Sequence, residues 1–139
     1  MRKALFVAVA AVALACGDDG PTGPAVANRF ELVRLNGFPL PYVREETPTG
    51  REEVTSGEIL LKVDGSYTDK TRFRSIQGNV SSSISTILQG PFVREGSTIT
   101  FTVISEEDPS GDDKYTGTFI AGDTLMIQAG ATQWKYVER

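Results

Sequence analysis

The sequence from Asn28 to the C-terminus alternates apolar and polar residues. In residues 98–103, Ile99, Phe101 and Val103 are separated by threonines. A period of two is typical of a β-strand with one buried face and one face in solvent. No window in this part of the sequence repeats apolar residues at helical spacing for long enough to form a helix. The sequence therefore predicts an all-β domain.

Eight segments carry this alternation and predict eight strands. They are residues 30–32, 59–63, 67–73, 88–92, 99–103, 115–119, 125–127 and 134–136. Short turn sequences such as Asp64-Gly65 and Glu95-Gly96 separate them, which favours antiparallel hairpins. Strands of this kind hide their edges best when the sheet closes on itself. We expect an eight-stranded antiparallel meander that closes into a small barrel, with a two-sheet β-sandwich as the alternative.

The faces of the side chains predict the register of one hairpin. If Val63 and Tyr67 both face the core, the loop between them has three residues, 64–66. The same register places Glu58 opposite Arg72 on the solvent face.

The first fifteen residues predict a secretory signal peptide. Arg2 and Lys3 precede an uncharged stretch, residues 4–15, that spans only about 18 Å as a helix, against roughly 30 Å of bilayer hydrocarbon. A basic start, a short apolar stretch and small residues before the cleavage site are typical of such peptides. Residues 16–28, rich in Gly, Pro and Asp, predict a flexible tether that begins at Cys16. We assign residues 29–139 to the barrel domain.

The segment Ala13-Leu14-Ala15-Cys16 resembles the lipobox of bacterial lipoproteins. The resemblance implies export across the inner membrane and a lipid on Cys16 that holds the protein to a membrane. Gly17, in place of the Asp of an inner-membrane retention signal, favours the outer membrane. The same residues also fit an ordinary A-x-A cleavage site, which would leave a soluble periplasmic protein.

Composition argues against several functions. The net charge is −4 and becomes more negative once Arg2 and Lys3 are removed, so we expect no nucleic-acid partner. The chain has no histidine and one cysteine, which removes the commonest general base, an intrachain disulfide and thiolate zinc sites. We expect no enzymatic activity, no catalytic residue, no cofactor and no metal site.

Three polar segments are candidate sites. The acidic residues 106–113 lack the spacing of a twelve-residue calcium loop and predict a solvated loop. Calcium binding by this loop is the alternative. The serines of residues 81–85 predict a polar loop, because no histidine is present to activate a hydroxyl group. Lys70, Arg72 and Arg74 form a basic stripe on the outer face of one strand, which could contact an acidic envelope glycan.

Several short motifs together resemble the small lipocalin-like domains of bacterial lipoproteins. They are LNGFPLP (35–41), DGSY (64–67), GPF (90–92), GSTITF (96–101), YTG (115–117), GDTL (122–125) and WKY (134–136). The match runs from about residue 28 to residue 139. It implies a lipocalin-like barrel and an N-terminal lipid anchor.

Nine aromatic residues fall on the predicted core face: Phe30, Tyr67, Phe73, Phe92, Phe101, Tyr115, Phe119, Trp134 and Tyr136. The interior of an eight-stranded barrel has room either for side chains or for one small ligand. We expect a filled interior, with a pocket as the alternative. Tyr67, Phe73, Tyr115, Trp134 and Tyr136 are then the candidate ligand-lining residues, below a mouth between the irregular segments 36–50 and 75–83.

The sequence leaves two functions open. The first is a lipid-anchored structural or interaction module of the cell envelope, without catalysis, that contacts an envelope protein or a glycan. The alternative is a carrier that binds one small apolar ligand at the mouth of the barrel.

Overall fold

The computed structural model describes residues 25–139, and this part of the chain contains strands and no helix. The predicted signal peptide (1–15), Cys16 and the predicted tether as far as residue 24 lie outside the described residues. The first strand begins at Val26, so the last residues assigned to the tether belong to a strand.

Ten strands follow one another along the chain. They are β1 (Val26–Leu35), β2 (Phe38–Pro39), β3 (Tyr42–Thr47), β4 (Gly50–Lys62), β5 (Ser66–Gln77), β6 (Val80–Glu95), β7 (Thr98–Thr102), β8 (Lys114–Ile120), β9 (Thr124–Ala129) and β10 (Thr132–Glu138).

Eight of these strands close into an antiparallel barrel, in the order β1, β4, β5, β6, β7, β8, β9, β10 and back to β1. The predicted all-β, eight-stranded barrel is confirmed, and the sandwich alternative is not observed. Each predicted segment contributes to one of the eight barrel strands. The two additional strands, β2 and β3, pair with β1 and β4 respectively.

The alternation that predicted the fold also determines which side chains are buried. Ile99 and Phe101 are both 0% exposed, and Val103, just after the end of β7, is half-buried. The nine aromatic residues assigned to the core all belong to it or pack against it: Phe30, Tyr67, Phe101, Phe119 and Tyr136 are buried, and Phe73, Phe92, Tyr115 and Trp134 are half-buried.

The predicted irregular segments, 36–50 and 75–83, are largely strands. β3 pairs with the first part of β4, and β5 and β6 continue to a tight turn at Gly78-Asn79. The serines of residues 81–85 therefore lie in β6, and the prediction of a polar loop there is wrong. We call β3 together with residues 50–56, 72–77 and 80–87 the extension. Most of its residues are at least partly exposed on both faces, so no apolar alternation marks its strands in the sequence.

The predicted register of the β4–β5 hairpin is also wrong. Tyr67 pairs with Leu61 rather than Val63, and Val63 is 68% exposed. The loop has three residues as expected, but they are residues 63–65, because the carboxylate of Asp64 accepts hydrogen bonds from Ser66 and ends the turn there. The shift moves the pairs between residues 56–61 and 67–72 by two positions and leaves these side chains on their predicted faces, whereas Val63 leaves the core.

The shifted register changes the partners of the predicted surface ion pair. Glu58 lies opposite Lys70, Arg72 lies opposite Ser56, and the Glu58 carboxylate instead contacts the guanidinium of Arg29 on β1.

Gly90 of β6 tests how closely the barrel strands approach one another. Its φ is +156°, and a Cβ atom at this position would lie 2.0 Å from the backbone oxygen of Thr102. We expect Gly90→Ala to lower the free energy of unfolding by about 3 kcal/mol or more, because backbone must move to relieve the clash. Urea unfolding followed by tryptophan fluorescence measures the loss.

The matched control is Gly130→Ala in the β9–β10 turn. Gly130 also has a positive φ, but a Cβ atom there meets nothing within 4 Å. This control should cost about 1 kcal/mol, the ordinary strain of a left-handed alanine. Equal losses in the two variants would contradict the close approach of β6 to residue 102.

Candidate functional site

One half of the barrel interior is filled by side chains. Phe30 and Phe119 pack with their ring centroids 5.7 Å apart, and the guanidinium of Arg94 lies 3.9 Å from the centroid of the Phe119 ring. Tyr67 and Phe101 continue this packing toward the middle of the barrel, at 4.8 Å between ring centroids. The expectation of a filled interior holds for this half only.

The other half contains a cavity of about 340 Å³. Its walls are mostly apolar and come from five strands. The lining residues are Asp69, Thr71 and Phe73 of β5, Thr86 and Leu88 of β6, Tyr115 of β8, Ile127 and Ala129 of β9, and Trp134 and Tyr136 of β10. Buried Asp69 and Tyr136 form its floor, whereas exposed Thr86 and Ala129 lie toward solvent.

Four of the five predicted ligand-lining residues come together in this cavity: Phe73, Tyr115, Trp134 and Tyr136. Tyr67 does not line it, because its ring is buried beneath the floor against Phe101 and Tyr115. The predicted mouth is also displaced, since neither residues 36–50 nor residues 75–83 contribute to the lining.

Asp69 is the lining residue with the most distinctive chemistry, and the predicted candidate set does not include it. It follows Tyr67 by two positions and precedes Phe73 by four, so all three share the inner face of β5. An acidic residue at an inward position of an alternating strand is a signal that the sequence does contain.

The carboxylate of Asp69 is only partly satisfied. Asp69 is 8% exposed, and its Oδ2 accepts a hydrogen bond from the Tyr115 hydroxyl at 3.0 Å. Its Oδ1 has no hydrogen-bond partner. Within residues 25–139, this atom and the Tyr67 hydroxyl oxygen are the two buried side-chain polar atoms that lack one. Buried polar groups without partners are uncommon in folded proteins, because each costs on the order of 1–3 kcal/mol.

Burial controls the ionisation of the groups around the floor. It raises the pKa of Asp69 to about 6, and the hydrogen bond from Tyr115 opposes this rise. Burial also raises the pKa of Tyr67, Tyr115 and Tyr136, so these hydroxyls keep their protons at neutral pH. No lining residue is basic. At neutral pH the cavity therefore has apolar walls and one carboxylate at its floor, with no positive lining side chain.

The raised pKa of Asp69 makes the stability of the protein depend on pH. The folded state holds the Asp69 proton more tightly than the unfolded chain, so stability falls as pH rises from about 4 through about 6. Asp69→Asn removes this loss while keeping an oxygen that can accept from Tyr115. We expect this variant to be more stable than the parent at pH 8, by on the order of 2 kcal/mol, and the difference to disappear near pH 4.

Urea unfolding of the two proteins at pH 4 and pH 8 measures this difference. Asp112→Asn, an exposed residue between β7 and β8, is the matched control and should behave as the parent at both pH values. A parent that is as stable as Asp69→Asn at pH 8 would mean that Asp69 is not buried as a charge.

The basic stripe of β5 and the acidic residues 106–113 lie on the surface. Lys70 and Arg72 are exposed on the outer face of β5, and the Nε atom of Arg74 donates to Glu53 at 2.9 Å. That hydrogen bond is the main reason why the pKa of Glu53 is lowered. The acidic residues 106–113 connect β7 to β8, and among the described residues no group of three or more His, Cys, Asp or Glu side chains is placed to hold a metal ion.

In residues 25–139 no helix has the length and apolar character needed to cross a membrane. Comparison of the chain with protein families, with curated proteins and with solved structures finds no match. The structure by itself defines the class of protein. It is a small eight-stranded antiparallel barrel that is consistent with a lipocalin-like fold and has a cavity in one half.

Proposed function

We propose that the protein is a carrier that binds one small apolar molecule in the cavity of its barrel. The cavity itself carries this proposal. Its volume of about 340 Å³ lies at the lower end of the roughly 300–1,000 Å³ typical of small-molecule sites. Its apolar walls and few polar groups are also typical of such sites.

The cavity has a side through which a ligand can enter. Thr86 and Ala129 are exposed, and Phe73 and Trp134 beside them are half-buried. β7 pairs with β6 only over residues 92–95, so residues 80–88 of β6 have β5 as their only strand partner within the described chain. This open edge of β6 borders the cavity at Thr86 and Leu88, where a small movement would widen the entrance.

The chemistry of the lining supports a binding function more than a catalytic one. Asp69 is its one carboxylate, and the remaining polar lining groups are threonine and tyrosine hydroxyls and the Trp134 indole. A general acid and a general base of matched pKa would be needed for most hydrolytic or transfer reactions. We therefore extend the proposal to a non-enzymatic carrier.

Thr86→Phe tests whether the cavity binds ligand. The larger ring should occupy the mouth and weaken binding of an apolar probe such as N-phenyl-1-naphthylamine by about tenfold or more, because apolar contact is replaced by steric overlap. The control is Ser85→Phe, the neighbouring residue on the opposite face of β6. Probe fluorescence titration and native mass spectrometry of protein purified from its own host measure the effect. Equal binding by the two variants would place the probe outside the cavity.

We further propose that the carrier is anchored to the bacterial envelope, on the outer membrane, by a lipid on Cys16. The support is the lipobox-like segment in the sequence, and cleavage without lipidation, giving a soluble periplasmic carrier, is the alternative. A tether after the lipid would hold the barrel close to the membrane while leaving its mouth accessible.

Intact mass of the mature protein tests the anchor. We expect a chain that begins at Cys16 and carries the added mass of fatty acyl groups, and we expect Cys16→Ser to lose that mass and to become soluble without detergent. A mature parent chain that begins at Cys16 without added mass would favour the soluble periplasmic form.

A second candidate function is the interaction module expected from the sequence. A polar groove of about 400 Å³ on the outer surface supports it, with basic and acidic side chains along its walls: Arg29, Lys70, Arg72, Glu31 and Glu58. Such mixed charge suits a polar partner such as an envelope glycan. Absence of any retained ligand, together with unchanged probe binding in Thr86→Phe, would favour this function over the carrier.

A further inference from the structure

The floor of the cavity contains a carboxylate whose hydrogen-bonding capacity the fold uses only in part. Asp69 makes one side-chain hydrogen bond, with Tyr115, and its second carboxylate oxygen is buried without a partner. A carboxylate in such a place costs stability, whereas an apolar residue there would complete the core. Because Asp69 lines the cavity, a molecule bound there would supply the missing partner of the carboxylate.

We infer that the ligand of this cavity is an amphiphilic amine, with its apolar body along the cavity walls and its protonated amino group on the carboxylate of Asp69. This inference rests on the proposed carrier function and specifies its ligand class. The amino group would pair with the carboxylate of Asp69, which lines the cavity and has one oxygen without a partner, while Tyr115 keeps its hydrogen bond to Oδ2.

The charges around Asp69 favour an amine over other head groups. On β4 its neighbour is Ile59, and on β6 it is Leu88. The titratable groups near it are the hydroxyls of Tyr67, Tyr115 and Tyr136, which are neutral at physiological pH. No Lys or Arg lines the cavity. A fatty acid would place a second negative charge beside Asp69 without a cation, and an alcohol would supply a hydrogen bond without the charge.

The dimensions of the cavity restrict the apolar body. A volume of about 340 Å³ suits a molecule with a short alkyl chain or a single ring system rather than a two-chain lipid. Phe73, Trp134 and Tyr136 provide aromatic surface along the path from the mouth to the floor.

Three probes with the same eight-carbon chain test the head group: octylamine, 1-octanol and octanoate. The protein is the exported chain carrying Cys16→Ser, which we expect to need no detergent. Trp134 is the single tryptophan of the sequence and lines the cavity, so its fluorescence reports occupancy, with calorimetry as the second measurement. At pH 8 we expect octylamine to bind about tenfold or more tightly than 1-octanol, and octanoate to bind most weakly, because a charge-assisted hydrogen bond to a buried partner is stronger than a neutral one.

Asp69→Asn should remove the preference for the amine, so that octylamine and 1-octanol bind within about threefold of each other. The variant loses the ion pair with the amino group, whereas the contacts of the alkyl chain with the cavity walls remain. Asp112→Asn again serves as the matched control and should keep the preference of the parent.

The parent protein provides a measurement that needs no variant in the cavity. Octylamine keeps its proton between pH 5 and pH 8, whereas the pKa of Asp69 is about 6. We expect octylamine affinity to fall by about tenfold from pH 8 to pH 5, because Asp69 becomes neutral, and the affinity for 1-octanol to stay constant.

The outcomes separate this inference from the proposed function. Equal binding of the three probes, or a preference that persists at pH 5 and in Asp69→Asn, overturns the amine assignment and leaves the carrier standing. Binding of none of the probes, with no molecule retained in native mass spectrometry, overturns the carrier as well.

Discussion

The structure depends on the double pairing of β1. This strand forms antiparallel pairs with β4 on one side, as at Phe30 and Ile59, and with β10 on the other, as at Leu32 and Tyr136. The two pairings join the beginning of the domain to its end, so that β1, β4 and β10 each pair with strands on both sides. They also turn one face of the sheet into an enclosed interior, which makes both the core and the cavity possible.

The enclosed interior is divided by the sizes of its side chains. Rings such as Phe30, Phe101 and Phe119 fill one half, whereas smaller residues such as Thr71 and Ala129 leave space in the other. Of the thirteen buried hydrophobic core residues within residues 25–139, two, Ile127 and Tyr136, line the cavity, so most of the apolar burial lies outside it. The half that contains Asp69 lowers the stability of the barrel, since an ionised carboxylate is poorly solvated there.

The sequence predicted the parts of the fold in which burial is one-sided. Alternation around Ile99 and Phe101 identified a barrel strand, and the same argument identified the faces of Phe73 and Trp134. It failed where both faces meet solvent, as in β3 and residues 80–87 of β6, because no apolar pattern then marks the strand. It also failed at Val63, where a hydrogen bond from the Ser66 N–H to the Asp64 carboxylate, rather than the hydrophobic pattern, determines where the turn ends.

What the sequence by itself determined is the direction of the side chains: alternation assigns Tyr67, Asp69 and Phe73 to one face of one strand, whatever lies opposite. Only the tertiary structure decided what these side chains meet. Asp69 and Tyr115 are 46 residues apart, and their hydrogen bond exists because closure brings β5 and β8 together across the interior. The same closure decides that Tyr67 lies beneath the floor and Phe73 near the mouth, since distance along a strand becomes depth in a barrel only after the sheet has curved and closed.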